Sequence, residues 1–539
     1  MINETDIWTQ RLFIIASVGC WAILLSVDNT SKAVADERAI LVTRLREATQ
    51  DIVVKPFNEK EKFELGTWED GRILADIGIC QLGLNDLEGA QRTADALPAD
   101  DDCLNCGDSY RYFLSAIAAA HVRAGDVQAA YIVLKNHRRK SQRSASFNEL
   151  LIIARAQANT GDSKGARKTC DDALLKIDSD VHLSALRRIR VAKVLISMGD
   201  IVGAKAIGVQ VDMLAKKLPT KGQDRGLLLA RLATFHFMLG EASDGPLRML
   251  REAHDAIDED TLGGENCWRY IAVAHARIGD MEGALRAASH AGGDRHTALM
   301  NIALLQWDQG DLEGAEKTIL QSPESDTKFL LLFEIAKAHA RVGDYKDALG
   351  SATSIKNDLR RAQGMLEVAA IIAKQGKVNE ARKIAQGLDY PMMSSRFGRL
   401  PKTKFKFDDP QTWDLPFERS QGFTMSSTLH GMEMDGDLLA AAVRCRIALD
   451  GPGSVPHKAI THDWDVRKAA EAQASMGDVK GALAWSEKLL RARRIAALIG
   501  AAEGYTEHLK TEKQKPLTGP DFGRRHPLMS WYNRYLDDK

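Results

Sequence analysis

A two-residue stop-and-start signal recurs along this 539-residue chain and leaves few folds open to it. The pattern is Gly-Asp followed three residues on by a small pair. It stands as Gly125-Asp126 with Ala129-Ala130, Gly161-Asp162 with Gly165-Ala166, and Gly199-Asp200 with Gly203-Ala204. It recurs as Gly279-Asp280 with Gly283-Ala284, Gly310-Asp311 with Gly314-Ala315, Gly343-Asp344 with Asp347-Ala348, and Gly477-Asp478 with Gly481-Ala482. Looser copies stand at Asn85-Asp86, Gly240-Glu241, Gly376-Lys377 and Gly436-Asp437. Successive copies lie 31 to 41 residues apart, with one step of 60. Self-similarity at such a period is the mark of a solenoid or array.

The dipeptide has a mechanical reading. A glycine just past a helix takes the left-handed conformation that closes it, and asparagine is the next most tolerant residue there. The aspartate that follows accepts from the first free N–H groups of the next helix and complements its dipole. Two residues thus end one helix and begin another, which makes an antiparallel pair. Seven residues before the turn stands a small residue: Gly78, Ala118, Ala154, Ala192, Ala233, Ala272, Ala303, Ala336, Ala369 and Ala470. Five after it comes the motif's own alanine. Small residues at fixed places on both helices let two backbones approach closely. A content of 45% hydrophobic and only 6% aromatic residues also favours helix over strand.

Small residue, turn glycine and second-helix alanine together resemble the tetratricopeptide repeat, over roughly residues 65–505 with one interruption. The resemblance implies an all-α solenoid of antiparallel helix pairs wound as a superhelix. The departures are a longer period in the first half, no aromatic four residues before the turn, and few unit-ending prolines. The domain reading is a signal peptide or membrane anchor over 1–35, repeats over 36–389, a Pro-rich insertion over 390–423, further repeats over 424–505 and an irregular tail over 506–539. The insertion carries Pro391, Pro401, Pro410 and Pro416, which break any helical period.

Leu12 to Val27 is an uncharged apolar run behind Arg11, followed by a small-x-small site at Ala33-Val34-Ala35. It implies export to the periplasm or outside, the mature chain starting near Asp36, or an inner-membrane anchor over 12–27. Beyond Cys20 the chain has six cysteines, too few for a disulfide-built scaffold. Cys103 and Cys106 form one CxxC pair with no second ligand pair nearby, so no zinc is expected.

Lys plus Arg equals Asp plus Glu at 73 each, which argues against a general nucleic-acid binder. No phosphate loop, HExxH or GxSxG motif is present, and no cofactor is expected. His121, His236, His275 and His339 share the place four before the turn with Gln81, Gln157, Gln306 and Gln473. One per repeat, they read as polar fillers of the helix-pair seam. His457 and His462 with Asp463 and Asp465 form the densest polar cluster, at a spacing that does not put both imidazoles on one helix face.

In tetratricopeptide arrays the residues two and six before the turn glycine line the concave face. By that resemblance Arg123, Arg277, Arg341 and Lys374, with Arg155, Lys193 and Lys337, form a basic stripe against only Asp308 and Glu471. The expectation is a non-catalytic scaffold that takes a protein or an extended acidic peptide. An enzyme built from the 390–423 insertion and the 457–465 cluster is the alternative, and a structural assembly subunit is a third.

Overall fold

In the computed structural model the described residues run from 30 to 513, apart from 57, 59–69, 98–106, 137–146, 178, 258–263, 392–403, 409–424 and 456–462. They form 23 α-helices, two single-turn 3-10 helices and one short hairpin. A single helix α1 (Thr30–Val54) precedes nine helix pairs: α2 (Asp70–Gly83) with α3 (Leu87–Asp95), α4 (Gly107–Arg123) with α5 (Val127–Asn136), and α6 (Phe147–Asn159) with α7 (Ser163–Leu174). Next come α8 (Val181–Ser197) with α9 (Ile201–Ala215), α10 (Gln223–Met238) with α11 (Asp244–Ala256), and α12 (Gly264–Ile278) with α13 (Met281–Ser289). The last three pairs are α14 (Arg295–Asp308) with α15 (Leu312–Leu320), α16 (Asp326–Val342) with α17 (Tyr345–Thr353), and α18 (Asp358–Lys374) with α19 (Val378–Gln386). After the hairpin β1 (Asp389–Pro391) and β2 (Lys404–Lys406) come α20 (Met425–Asp450), α21 (Asp463–Ser475), α22 (Val479–Ser486) and α23 (Arg491–Lys513).

The turns work as their residues dictate. Nine turn glycines hold φ between +79° and +92°, and Asn85 holds +56°. At most of these glycines an added Cβ would meet nothing, so backbone conformation and not room selects glycine. The next N–H reaches back five residues, as from Asp200 to the Leu195 carbonyl and from Asp280 to that of His275, both at 2.9 Å. That is the bond of a Schellman closure. The same aspartate then caps the following helix: Asp200 accepts from the Gly203 N–H at 2.8 Å and Asp311 from that of Gly314 at 2.8 Å. Gly376 closes its helix in the same way, but Lys377 supplies no side-chain cap.

All nine alanines seven before the turn are fully buried, as are Ala90, Ala130, Ala166, Ala204, Ala284, Ala315, Ala348, Ala381 and Ala482 five after it. A Cβ on Gly78 would meet the Phe113 ring at 2.2 Å. The helix pairs are zipped by these small contacts, and the larger apolar side chains fill the space between pairs.

The all-α solenoid is therefore present, and its two ends meet. The first helices of successive pairs pack side by side from α2 through α18, then α20, α21 and α23, and α23 packs against α2 again. Among the described residues no comparable packing joins successive second helices, which places the first helices on the inner circumference of a ring. Among the described residues no helix follows α23; α1, from the other end of the chain, packs beside it and contacts both α23 and α2. Arg491 Nε donates to Asp51 at 2.7 Å, Arg44 pairs with Glu487 at 2.7 Å, and Arg46 Nε bonds the cap carboxylate of Asp86 at 2.9 Å. One apolar core runs through the closure, from Leu41 and Ile77 to Ile499 and Tyr505.

Three readings of the sequence need correction. Gly436-Asp437 is no turn, because α20 runs through it. The tail is helical as far as Lys513, so the repeat region does not stop at Tyr505. The 390–423 insertion is not wholly irregular: β1 and β2 pair antiparallel with Tyr390 opposite Phe405, and Phe407 behind them is buried. No helix among the described residues is long and apolar enough to cross a membrane. Leu12–Val27, Cys103, Cys106, His457 and His462 lie outside the described residues.

Candidate ligand-binding surface on the inner helices

On an inner helix the buried alanine faces the outer partner, and at 100° per residue the positions nine, six and two before the turn look the other way. Helix α10 shows this plainly. From Gly226 to His236 every residue is buried except Leu227 and Arg231. Arg231, Thr234 and Met238 form the stripe that faces the ring's interior.

In this register the ring divides in two. From α4 to α12 the three positions supply Arg123, Arg155, Arg190, Lys193, Arg231 and Arg277, and no carboxylate. From α16 onward and into α2 they supply Lys337, Arg341, Lys374 and Lys468, but also Glu334, Glu367, Glu471 and Asp76. The acids there are engaged. Lys337 Nζ donates to Glu334 at 2.8 Å, and Arg444 Nε to Glu367 at 2.6 Å. Asp437, the residue of the misread turn, takes Arg360 at 3.0 Å and Lys468 at 3.4 Å. Arg467 donates to both oxygens of Glu503, at 3.1 and 2.5 Å, and to Asp76 at 3.0 Å, tying α21, α23 and α2 together.

The pKa directions follow from this crowding. Burial pushes the Glu503 carboxyl up; Arg467 opposes it, and Glu471 and Asp76 add to it. Burial acts on Glu471 in the same sense, but Lys468, Arg444 and Arg467 outweigh it and hold that carboxyl low. Lys374 is exposed yet hemmed in by protein; desolvation lowers its ammonium, Arg444 and Arg341 add to the effect, and Glu367 and Glu507 resist it.

The seven stripe residues expected from the sequence therefore do not form one row. Lys193 and Arg277 line one small, open cleft with Arg231, Thr234, Tyr270 and Val273. Arg155 is half-buried on α6 and Arg123 exposed on α4, in the same basic arc. Lys337, Arg341 and Lys374 stand on α16 and α18, in the paired arc. Sequence reasoning missed Arg231, Tyr270 and Arg190. The signal was there: all three stand nine before a turn, one helical turn beyond the two positions the resemblance supplied.

Arg231 lies over the Tyr270 ring at 4.8 Å to the centroid, and Arg269 lies over the same ring at 4.8 Å. No carboxylate lines the cleft.

The seam glutamines and His275 bond side chains of their own pair, whereas His121 meets Gln91 of the preceding pair at 2.6 Å and His236 meets Asp212 of the preceding pair at 3.3 Å. Gln157 Oε1 accepts from Thr169 at 2.8 Å, Gln306 from Thr318 at 2.7 Å, and Gln473 from the Trp485 indole at 2.9 Å. His275 Nδ1 meets the turn residue Asp280 at 2.8 Å. His339, Asp344 and Asp347 come close enough to share a cation, but Asp344 is the cap of α17 and both acids are exposed. The described cysteines are buried thiols; desolvation pushes Cys170 up to about 12 and Cys267 up to about 11, which makes them poor nucleophiles.

No family model matches the chain, and no curated protein matches it. Among solved structures the chain is similar to a "circular tandem repeat protein with novel repeat topology and enhanced subunit contact surfaces", at 12% identity over 93% of this chain and 96% of that one, with a TM-score of 0.14. A score that low superposes little of either chain, and the ring described above stands on this chain's own contacts.

Proposed function

We propose that this protein is a non-catalytic scaffold of tetratricopeptide type that holds a protein partner by an extended acidic segment laid along the basic arc. The observation that carries this reading is the run of six cations from Arg123 to Arg277 on the inner helices, with no carboxylate in the same register. Exposed ion pairs contribute only about 0–1 kcal/mol each, so such a surface acts collectively and weakens as salt rises. The paired arc serves the ring itself.

We place the protein outside the cytoplasm, on the strength of the apolar run Leu12–Val27 and the small-x-small site behind it. Among the described side chains of α1 the buried ones begin at Leu41, so a cut before Asp36 leaves these contacts with the ring closure in place.

A fluorescein-labelled hexaglutamate peptide tests the function. Fluorescence anisotropy with the full chain is expected to show binding at low salt that falls steadily as salt is added, and no binding of hexalysine. Absence of hexaglutamate binding, or equal binding of both peptides, overturns the reading.

A further inference from the structure

One guanidinium on the basic arc has two neighbouring donors unmet. The Nε and Nη2 atoms of Arg231 are shielded from solvent and meet no hydrogen-bond acceptor. Buried donors in native proteins are nearly always met. These two atoms lie on one edge of the guanidinium, where their N–H bonds run parallel and match two oxygens of a single carboxylate or phosphoryl group. The plane of that edge is set by stacking on Tyr270, which Arg269 holds from another side. Arg231 also lines a cleft with Lys193 and Arg277, so an anion there meets cations from three inner helices.

We propose that Arg231 is an oxyanion subsite that takes one carboxylate or phosphoryl group edge-on, with Lys193 and Arg277 as its charged walls and Tyr270 as the platform that orients the guanidinium. That the group belongs to an acidic peptide rests on the proposed function; the subsite itself does not. Phosphoryl and carboxylate share this chemistry, and small anions distinguish them.

The test follows the Arg Nε–Hε resonances of the full ¹⁵N-labelled chain while inorganic phosphate or acetate replaces chloride at constant ionic strength. One resonance, absent from both Arg231→Gln and Arg231→Lys, is expected to shift and saturate. The anion that saturates it at the lower concentration identifies the preferred group. If the resonance lost in these variants moves with neither anion, the subsite is overturned. Arg231→Lys keeps the charge and the assignment should Arg231→Gln fail to fold.

Hexaglutamate binding separates the two readings. Arg231→Gln is expected to weaken it about tenfold, and Arg231→Lys to restore little, because an ammonium has no edge. A shifting resonance with peptide binding untouched by Arg231→Gln keeps the subsite and removes the peptide from it. Peptide binding lost in an Arg155→Gln, Lys193→Gln, Arg277→Gln triple variant, with a resonance that never moves, keeps the arc and removes the subsite.

Discussion

Arg231 and Arg467 stand within one residue of the same place on their helices and meet opposite surroundings. Arg467 is clasped by Glu503 and Asp76, one from each side of the ring closure. Arg231 faces a cleft without a carboxylate, with two of its nitrogens unmet. The same side chain thus braces the ring in one arc and, in the proposal above, receives an anion in the other. A half-buried guanidinium that completes an ion-pair network is tied to stability, because removing it strands its partners. A guanidinium edge that meets no acceptor contributes little to folding, which is why the ligand was proposed there.

The largest test of that contrast is the deletion of each arginine. Arg467→Ala is expected to lower the unfolding free energy by roughly 3–5 kcal/mol, since Glu503 and Asp76 are left as uncompensated charges. Arg231→Gln is expected to change it by less than about 1 kcal/mol, because no hydrogen bond of the two shielded nitrogens is lost. Urea unfolding of both variants measures the difference.

Close packing within the paired arc gives a second, smaller effect. A Cβ on Gly504 would fall 2.0 Å from the Glu471 carbonyl oxygen, so α23 lies backbone to backbone on α21. Gly504→Ala is expected to destabilise by about 1–3 kcal/mol or more, and Ala336→Leu in the α16–α17 seam by about 1–3 kcal/mol, each read from the shift of the urea midpoint. Neutral behaviour at both positions would show that the small residues do not set the helix spacing.

The smallest effect lies in two neighbouring turns of the basic arc. Hydrogen bonding to Asp212, together with Glu241, raises the His236 imidazole above its ordinary range against the cost of burial. Burial lowers His275, and its one partner Asp280 does not make up the loss. The signs are opposite. His236 adds stability that is complete below the ordinary histidine range and is lost as pH rises through its raised pKa. His275 adds stability that is complete above that range and is lost as pH falls toward its lowered pKa. NMR titration should place the His236 midpoint above that of His275, and the reverse order would refute the assignment of partners.

How far the sequence reaches follows from these particulars. The turns, caps and buried alanines were legible because each depends on residues within about a dozen positions. The failure at Gly436-Asp437 was legible too: Leu429 stands where every true copy has a small residue, and Met432 where most have histidine or glutamine. A dipeptide without its flanks does not stop a helix. Ring closure was not legible, since Arg491 and Asp51 lie 440 residues apart and α1 carries no turn motif of its own. The division of the inner surface was half legible. The positions six and two before the turn showed basic residues, but the acids at Glu334, Glu367 and Asp76 stand nine before it, and Arg467 and Asp76, 391 residues apart, meet only once the ring is closed.

The division itself is tested most directly by neutralising each arc in turn. Two triple variants serve: Arg155→Gln, Lys193→Gln, Arg277→Gln in the basic arc, and Lys337→Gln, Arg341→Gln, Lys374→Gln in the paired arc. Binding of labelled hexaglutamate is measured for both at one low salt concentration, with helicity checked by circular dichroism. The basic-arc variant is expected to lose binding by about tenfold or more while keeping its fold, and the paired-arc variant to bind within about twofold of the parent. Equal losses in the two, or the larger loss in the paired arc, would contradict the account.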